Sequence, residues 1–124
     1  MSNLTILLVE DTRIARKMAQ FVLNNMLHTV DTACSGLEAI QLAGQKKYDL
    51  ILMDVGLGDM SGCDASQRIK EDTTNKNTPI IALTAHEDEA TKAACALAGI
   101  TGFMVKPFTK EKFEQTVRGL SLRA

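Results

Sequence analysis

Five side chains in this 124-residue sequence have the types and the placement to do chemistry together. Glu10 and Asp11 follow the apolar run Ile6-Leu7-Leu8-Val9, Asp54 closes Leu50-Ile51-Leu52-Met53, Thr84 closes Ile80-Ile81-Ala82-Leu83, and Lys106 follows Phe103-Met104-Val105. If those runs lie side by side, the polar groups gather at one edge. Three carboxylates in one crevice repel: two unit charges about 4 Å apart cost roughly 4 kcal/mol at an effective dielectric of 20. A hard divalent cation with oxygen ligands relieves that repulsion, and a Mg²⁺-type site needs only one or two direct carboxylates plus waters. The three carboxylates then balance the charge of Mg²⁺ and the Lys106 ammonium. A neutral site of this kind can admit an anionic phosphoryl group, held by the metal, the ammonium and the Thr84 hydroxyl, with Asp54 as nucleophile.

The elements that must position these groups can be read from two kinds of apolar segment. The four short continuous runs suit strands covered on both faces, while Thr29-Val30-Asp31-Thr32-Ala33 alternates and reads as a strand near a sheet edge. Ile14, Met18, Phe21 and Val22, then Ala90, Ala93, Ala94 and Leu97, then Phe113, Val117 and Leu120 have helical spacing, which predicts the inward faces of three helices. The Ala-rich face is expected to pack close to the sheet with little anchoring area, leaving its helix among the more movable elements. Two more helices are expected at about 36–46 and 62–71, with Ser35 and Glu38 as a capping box and Ser61 or Gly62 opening the second. Gly99 is placed to stop the Ala-rich helix, the polar stretch 72–78 reads as a loop, and Pro79 enters the next strand. Strands and helices thus alternate five times. That order implies a parallel sheet with right-handed crossovers, an open doubly wound α/β fold with too few units for a closed eight-stranded barrel. In such a sheet the site lies beyond the C-terminal strand ends, where strand order reverses.

Composition narrows the classes. One domain over 1–124 is expected from the length, and 45% hydrophobic against 23% charged residues is globular rather than disordered. A net charge of −1 gives no electrostatic reason to expect nucleic acid. The longest apolar run is the six residues Ala93 to Ala98, far short of the ~20 that span a bilayer. No membrane contact and no signal peptide are expected. Cys34, Cys63 and Cys95 are an odd, widely spaced set, which fits reduced thiols filling the core of a cytoplasmic domain better than a disulfide frame or a zinc site.

Over essentially its whole length the chain resembles a response-regulator receiver domain of two-component signalling. The segments that carry the resemblance are Leu7-Leu8-Val9-Glu10-Asp11, Leu50-Ile51-Leu52-Met53-Asp54, Gly62, Leu83-Thr84-Ala85 and Lys106-Pro107-Phe108, with Thr84, Phe103 and Lys106 lying 30, 49 and 52 residues after Asp54. The resemblance implies a (βα)5 fold with a flavodoxin-like strand order 2-1-3-4-5. It implies that Asp54 accepts phosphate from the phosphohistidine of a histidine kinase or histidine phosphotransfer domain. Asp11, Asp54 and the backbone carbonyl of Gly56 would ligate Mg²⁺ (or Mn²⁺), with Glu10 acting mainly through water. Lys106 would pair with the phosphoryl oxygens, its bond to Pro107 being cis. Thr84 would swing to the phosphate and Phe103 would turn inward, altering the surface formed by the fourth helix, fifth strand and fifth helix.

The chain departs from the family pattern where proline most often follows the acceptor by four residues; here that residue is Gly58. The loop from Gly56 to Gly62 is therefore expected to be loose. Gly56 and His86 are expected to modulate the dephosphorylation rate. Each residue has a plainer reading: Glu10 and Asp11 as helix-start acids, Lys106 as a surface ion pair, Phe103 as a core aromatic, His86 as a solvated loop residue and His28 as structural.

Among rival functions, a flavin or nucleotide binder is disfavoured because Gly56, Gly58 and Gly62 miss the phosphate-loop spacing. An aspartate-based phosphatase would have a second acid where Gly56 stands. A receiver-fold protein-binding module that works without phosphorylation is the alternative kept, although Glu10, Asp11, Asp54, Thr84 and Lys106 are all intact. No turnover of a free substrate is expected. The sequence ends at Ala124, just after the last helix, so a free-standing regulator or a receiver excised from a larger protein is expected. The Ala82-Leu83-Thr84-Ala85-His86 stretch leans towards a hybrid sensor histidine kinase.

Overall fold

A computed structural model describes residues 3–86 and 88–120, so the outermost residues of the expected 1–124 domain lie outside the described residues. The chain alternates β1 (Thr5–Val9), α1 (Arg13–Asn25), β2 (Thr29–Ala33), α2 (Gly36–Gln45), β3 (Leu50–Asp54), α3 (Gly62–Glu71), β4 (Ile80–Thr84), α4 (Glu89–Leu97), β5 (Gly102–Val105) and α5 (Lys110–Gly119). All strand pairs are parallel, in the order β2-β1-β3-β4-β5. The expected topology is therefore the one formed.

Strand side chains alternate between faces, and that alternation builds two separate cores. Leu7, Val9, Ile51, Met53, Ile80 and Ala82 face one layer with Ala39, Ala43, Ala65, Ile69 and Cys95 of α2, α3 and α4. Ile6, Leu8, Leu50, Leu52, Ile81 and Leu83 face the other with Ala19, Leu23 and Phe113 of α1 and α5. This double coverage is why β3 and β4 read as uninterrupted apolar runs. Phe103-Met104-Val105 differs from that expectation. β5 is the second edge strand, and of its residues only Met104 is buried.

The helix starts follow from their capping residues. Ser35 accepts a hydrogen bond from the Glu38 amide at 3.1 Å, but Glu38 reaches back to the Cys34 amide, one residue before the cap. Ser61, Asp88 and Thr109 cap α3, α4 and α5 in the same manner. Gly99 ends α4 with φ +86°, in the left-handed region that glycine enters without a Cβ penalty. His28 is buried and structural, its Nδ1 accepting from the Leu4 amide.

Two of the three helical stripes face the wrong way for the expectation. In α1, Ile14, Met18 and Phe21 are 72%, 60% and 67% exposed, and the inward positions are Ala19 and Leu23. In α4, Ala90, Ala93 and Ala94 are exposed, Leu97 is 88% exposed, and Cys95 alone is buried. The α5 stripe does face inward, with Phe113 buried and Val117 and Leu120 half-buried against the same core. Among the cysteines, Cys95 is a core filler, Cys63 is half-buried, and Cys34 is exposed.

Gly62 opens α3 directly beneath the end of β3. A Cβ there would fall on the carbonyl oxygen of Asp54 and within 2.9 Å of the Asp54 carbonyl carbon and the Val55 Cα, all backbone atoms that cannot swing aside. Gly119, by contrast, has nothing within 4 Å of a built Cβ. Gly62→Ala is expected to destabilise the fold by about 1–3 kcal/mol through overpacking, read as a lower urea midpoint, while Gly119→Ala leaves the midpoint unchanged or raised. Equal midpoints for the two variants would contradict this packing.

Candidate functional site

The sheet register levels the strand ends that carry the acids. Val9 pairs with Met53, Asp54 with Leu83, and Thr84 with Val105. The amide of Glu10 extends the β1–β2 ladder by donating to the Ala33 carbonyl at 3.1 Å. Its side chain thereby turns into the crevice between β1 and β3, where the strand order reverses. Carboxylate oxygens of Glu10, Asp11 and Asp54 all lie within 4.8 Å of one another. Glu10 and Asp54 are buried and Asp11 is exposed at the mouth.

Lys106 is the cation that holds this cluster together. Its Nζ lies 3.1 Å from Glu10 Oε2 and 3.2 Å from Asp54 Oδ2. Asp54 Oδ1 accepts from the Gly56 amide at 3.0 Å, so both of its oxygens are engaged. The Lys106 amide donates to the Thr84 carbonyl at 2.7 Å, and the Lys106–Pro107 peptide is cis.

The electrostatics separate the two buried acids. Burial, then the hydrogen bond and charge of Asp54, push the Glu10 carboxyl up to about 7 against the pull of Lys106. Burial acts in the same direction on Asp54. There the hydrogen bonds from Glu10 and the Gly56 amide, with the Lys106 ammonium, outweigh it and hold the carboxyl below its usual value. Burial alone would lower the Lys106 amine, but the Glu10 and Asp54 carboxylates raise it. Below about pH 7 a proton therefore resides mainly on Glu10 while Asp54 stays anionic, the state a nucleophile requires.

Thr84 is near but turned away. Its buried hydroxyl donates to the His86 carbonyl at 3.0 Å and accepts from the His86 amide at 3.3 Å. His86 itself is exposed. Phe103 is half-buried, packed against the α2–α3–α4 side of the core, with Lys92 Nζ 5.7 Å from its ring centroid. Gly56 and Gly58 form the rim: a Cβ at either would stand 3.9 Å from Asp54 Oδ1 or 3.7 Å from Asp11 Oδ2, over the carboxylates.

The loop carrying those glycines, expected to be loose, is tied down at several points. Asp59 accepts from the amides of Gly36 and Leu37 at 2.9 and 3.0 Å, stapling the loop to the start of α2. A bridge between Gly56 and Ser61 closes it, and the Gly62 amide donates to Val55. The sequence reading missed Asp59 because its partners lie more than 20 residues earlier in the chain. It also missed Arg16, whose Nη1 grips the Glu10 carbonyl at 2.9 Å from one turn into α1.

The donor set fits a hard divalent cation: all-oxygen, at least two carboxylates, one side open to water. Beside it runs an apolar cleft of about 350 Å³ between α1 and the β5–α5 loop, lined by Ala15, Met18, Leu83, Pro107 and Phe108 with Glu10 and Lys106 at its edge.

This constellation, on a doubly wound parallel sheet, is the architecture of a phosphoacceptor signalling domain. The chain belongs to the response regulator receiver domain family, which matches residues 6–118. It is 33% identical over 109 residues to the signal transduction histidine-protein kinase BarA of Shigella flexneri, covering 88% of this chain and 12% of that protein. Among solved structures, Vibrio cholerae chemotaxis protein CheY4 superposes with a TM-score of 0.90 at 30% identity, over 95% of this chain and 98% of that one. The receiver domain of sensor histidine kinase PA1611 from Pseudomonas aeruginosa superposes at 0.85 with 30% identity, over 92% and 93%; its structure holds a magnesium ion coordinated in the active-site cleft. No helix among the described residues is long and apolar enough to cross a membrane.

A protonated Glu10 has a measurable consequence. A divalent cation among these oxygens favours the ionised acid, so binding releases the Glu10 proton wherever the metal-free site holds it, below about pH 7. Calorimetric Mg²⁺ titrations in buffers of different ionisation enthalpy are expected to show release of about one proton per ion near pH 6, and almost none near pH 8.5, with affinity rising between them. Buffer-independent heats at pH 6 would show that Glu10 is already ionised.

Proposed function

We propose that Asp54 is the phosphoacceptor, taking the phosphoryl group from a phosphohistidine on a histidine kinase or a histidine phosphotransfer domain. The observation that carries this reading is the convergence of the Glu10, Asp11 and Asp54 carboxylates on the Lys106 ammonium at the switch point of the sheet. Asp11 and Asp54, with the backbone carbonyl of Gly56, would hold Mg²⁺ (or Mn²⁺), and Glu10 would act through water. When bound, the ion supplies the charge neutralisation that lets a phosphoryl group approach an acidic site.

The chain's own groups do the rest. An Asp54 oxygen attacks phosphorus, the N–P bond breaks, and the imidazole leaves with the bonding pair and takes up a proton. Lys106 exchanges its contact with Asp54 for the phosphoryl oxygens. Thr84 gives up its two hydrogen bonds to His86 and donates to the phosphoryl group, and Phe103 fills the space it vacates. The altered surface is that of α4, β5 and α5. Water attack on phosphorus reverses the modification, at a rate set in part by the bare rim at Gly56 and by His86. No free substrate is turned over.

The donor is a protein on this reading, because the apolar cleft beside Lys106 shares Met18 and Phe108 with a second cleft that reaches the exposed Phe21 of α1. The chain spans 12% of the length of BarA, so the kinase activity of such relatives is a property this domain would serve rather than perform. We assign residues 1–124 to one receiver domain working in the cytoplasm, where ATP charges the donor kinase, without nucleic-acid or membrane contacts of its own. A hybrid sensor kinase is one setting, by likeness to the histidine kinases BarA and PA1611; a free-standing regulator, by likeness to the response regulator DivK of Brucella ovis, is the other.

Incubation with acetyl phosphate, with intact mass as readout, tests the acceptor. The expected result is a gain of one phosphoryl group that requires Mg²⁺ and is absent in Asp54→Asn. Lys106→Met should lower the yield or block the switch of the α4–β5–α5 surface without abolishing metal binding. Equal phosphorylation of Asp54→Asn would place the acceptor elsewhere.

A further inference from the structure

Cys63 and Cys95 are 32 residues apart in the chain, yet their Sγ atoms lie 3.8 Å from each other between α3 and α4. Cys34, the remaining cysteine, is exposed at the start of α2 with its Sγ on Glu38. We infer that Cys63 and Cys95 are a modification site, forming a reversible disulfide that fastens α4 to α3 when a two-electron thiol oxidant such as glutathione disulfide reaches them. The bond itself rests on this geometry alone; its consequence for signalling rests on the proposed function.

The separation is close enough to bridge. A disulfide needs about 2.05 Å between sulfurs, so the pair must approach by somewhat less than 2 Å, within reach of side-chain rotation and a small helix shift. The packing around α4 is loose: a groove of about 250 Å³ lies between Cys95 and β5, lined by Lys92, Ile100, Gly102 and Phe103. No other residue of α4 is buried, so the helix is weakly anchored.

The two thiols divide the work. Cys63 is half-buried and is the one an oxidant meets first; Cys95 is buried, and burial, then the hydrogen bond and charge of Cys63, push its thiol up to about 11. The Cys63 thiolate attacks one sulfur of glutathione disulfide, that S–S bond breaks, and one glutathione leaves as thiolate. Cys95 then loses its proton and attacks the Cys63 sulfur, expelling the second glutathione. Two protein thiols are oxidised and one glutathione disulfide is reduced to two glutathione thiols. Excess thiol reverses both steps.

The location gives the bond its meaning. Cys63 follows Gly62, which is wedged against the Asp54 carbonyl, so α3 is fixed to the acceptor strand. Cys95 is the single buried anchor of the helix whose surface is proposed to change on phosphorylation. A link between them ties the moving element to the fixed one. Transient disulfides of this kind are the ones met in reducing compartments.

The test uses the wild-type chain and Cys34→Ser, Cys63→Ala and Cys95→Ala variants, equilibrated in glutathione redox buffers, alkylated, and read by intact mass and peptide mapping. Oxidised wild type should remain monomeric, lose two hydrogens and alkylate at Cys34 only, while Cys63→Ala forms no intramolecular disulfide and Cys95→Ala, lacking the resolving thiol, is trapped with glutathione on Cys63. Amide exchange over α4 should slow about tenfold on oxidation, and recover with reductant. In the wild type, three alkylated thiols, a stable glutathione adduct at Cys63, or an intermolecular dimer would each overturn the disulfide. Unchanged exchange in α4 would overturn the fastening. Neither readout needs phosphate uptake, so failure of the Asp54 reading is distinguishable from failure of this one. The wild-type peptide map keeps the test intact should Cys95→Ala fail to fold.

Discussion

One ammonium faces two buried carboxylates, with a third carboxylate at the mouth. That imbalance is the constraint on which the rest of the site depends. Lys106 can neutralise one acid, and burial meets part of the remainder by raising the Glu10 carboxyl to about 7, so that below this pH Glu10 holds a proton while Asp54 stays charged. The division matters to the proposed reading because a protonated Asp54 would be a poor nucleophile. It also means that the site is poised for cations and anions together. On the proposed reading, Asp11, Asp54 and the Gly56 carbonyl would hold a divalent cation, which would favour the ionised form of Glu10, and a phosphoryl group would offer Lys106 new acceptors.

Holding like charges together needs a rigid frame, and the fold supplies it by unrelated local devices. Parallel register brings the ends of β1, β3, β4 and β5 level. Arg16 clamps the Glu10 backbone, Gly62 packs without a side chain under Asp54, and Asp59 staples the rim loop to α2. By contrast, the Thr84 hydroxyl and α4 are lightly held, the first by two hydrogen bonds to His86, the second by one buried side chain. Rigidity surrounds the acids, and freedom lies in the elements proposed to move. The cysteine pair sits on the boundary between them.

Much of this was legible in the sequence because strands covered on both faces leave continuous apolar runs, and the residue ending each run is by topology a candidate site residue. Glu10, Asp11, Asp54 and Lys106 were found in that way and do converge. Thr84 was found too, although its hydroxyl points to His86 rather than to the acids. The helix faces were misread for two physical reasons. In α1 the larger apolar residues Ile14, Met18 and Phe21 lie outward, whereas the sheet admits the small Ala19 and the single Leu23. In α4 the alanines carry almost no directional signal, and the inward position is a cysteine. Contacts between distant segments, Asp59 with Gly36 and Cys63 with Cys95, leave no periodic trace at all, and the glycine count of the rim loop suggested a freedom that Asp59 removes.

The most direct measurement of the central claim is urea denaturation of wild type and Asp11→Asn at pH 8, with a chelator and with excess Mg²⁺. If uncompensated negative charge strains the site, removing the exposed carboxylate should raise the urea midpoint in chelator. The same substitution should forfeit most of the stabilisation that Mg²⁺ gives the wild type, so that the order of the two proteins reverses. A variant less stable than wild type in chelator, or one stabilised by Mg²⁺ to the same degree, would contradict the account.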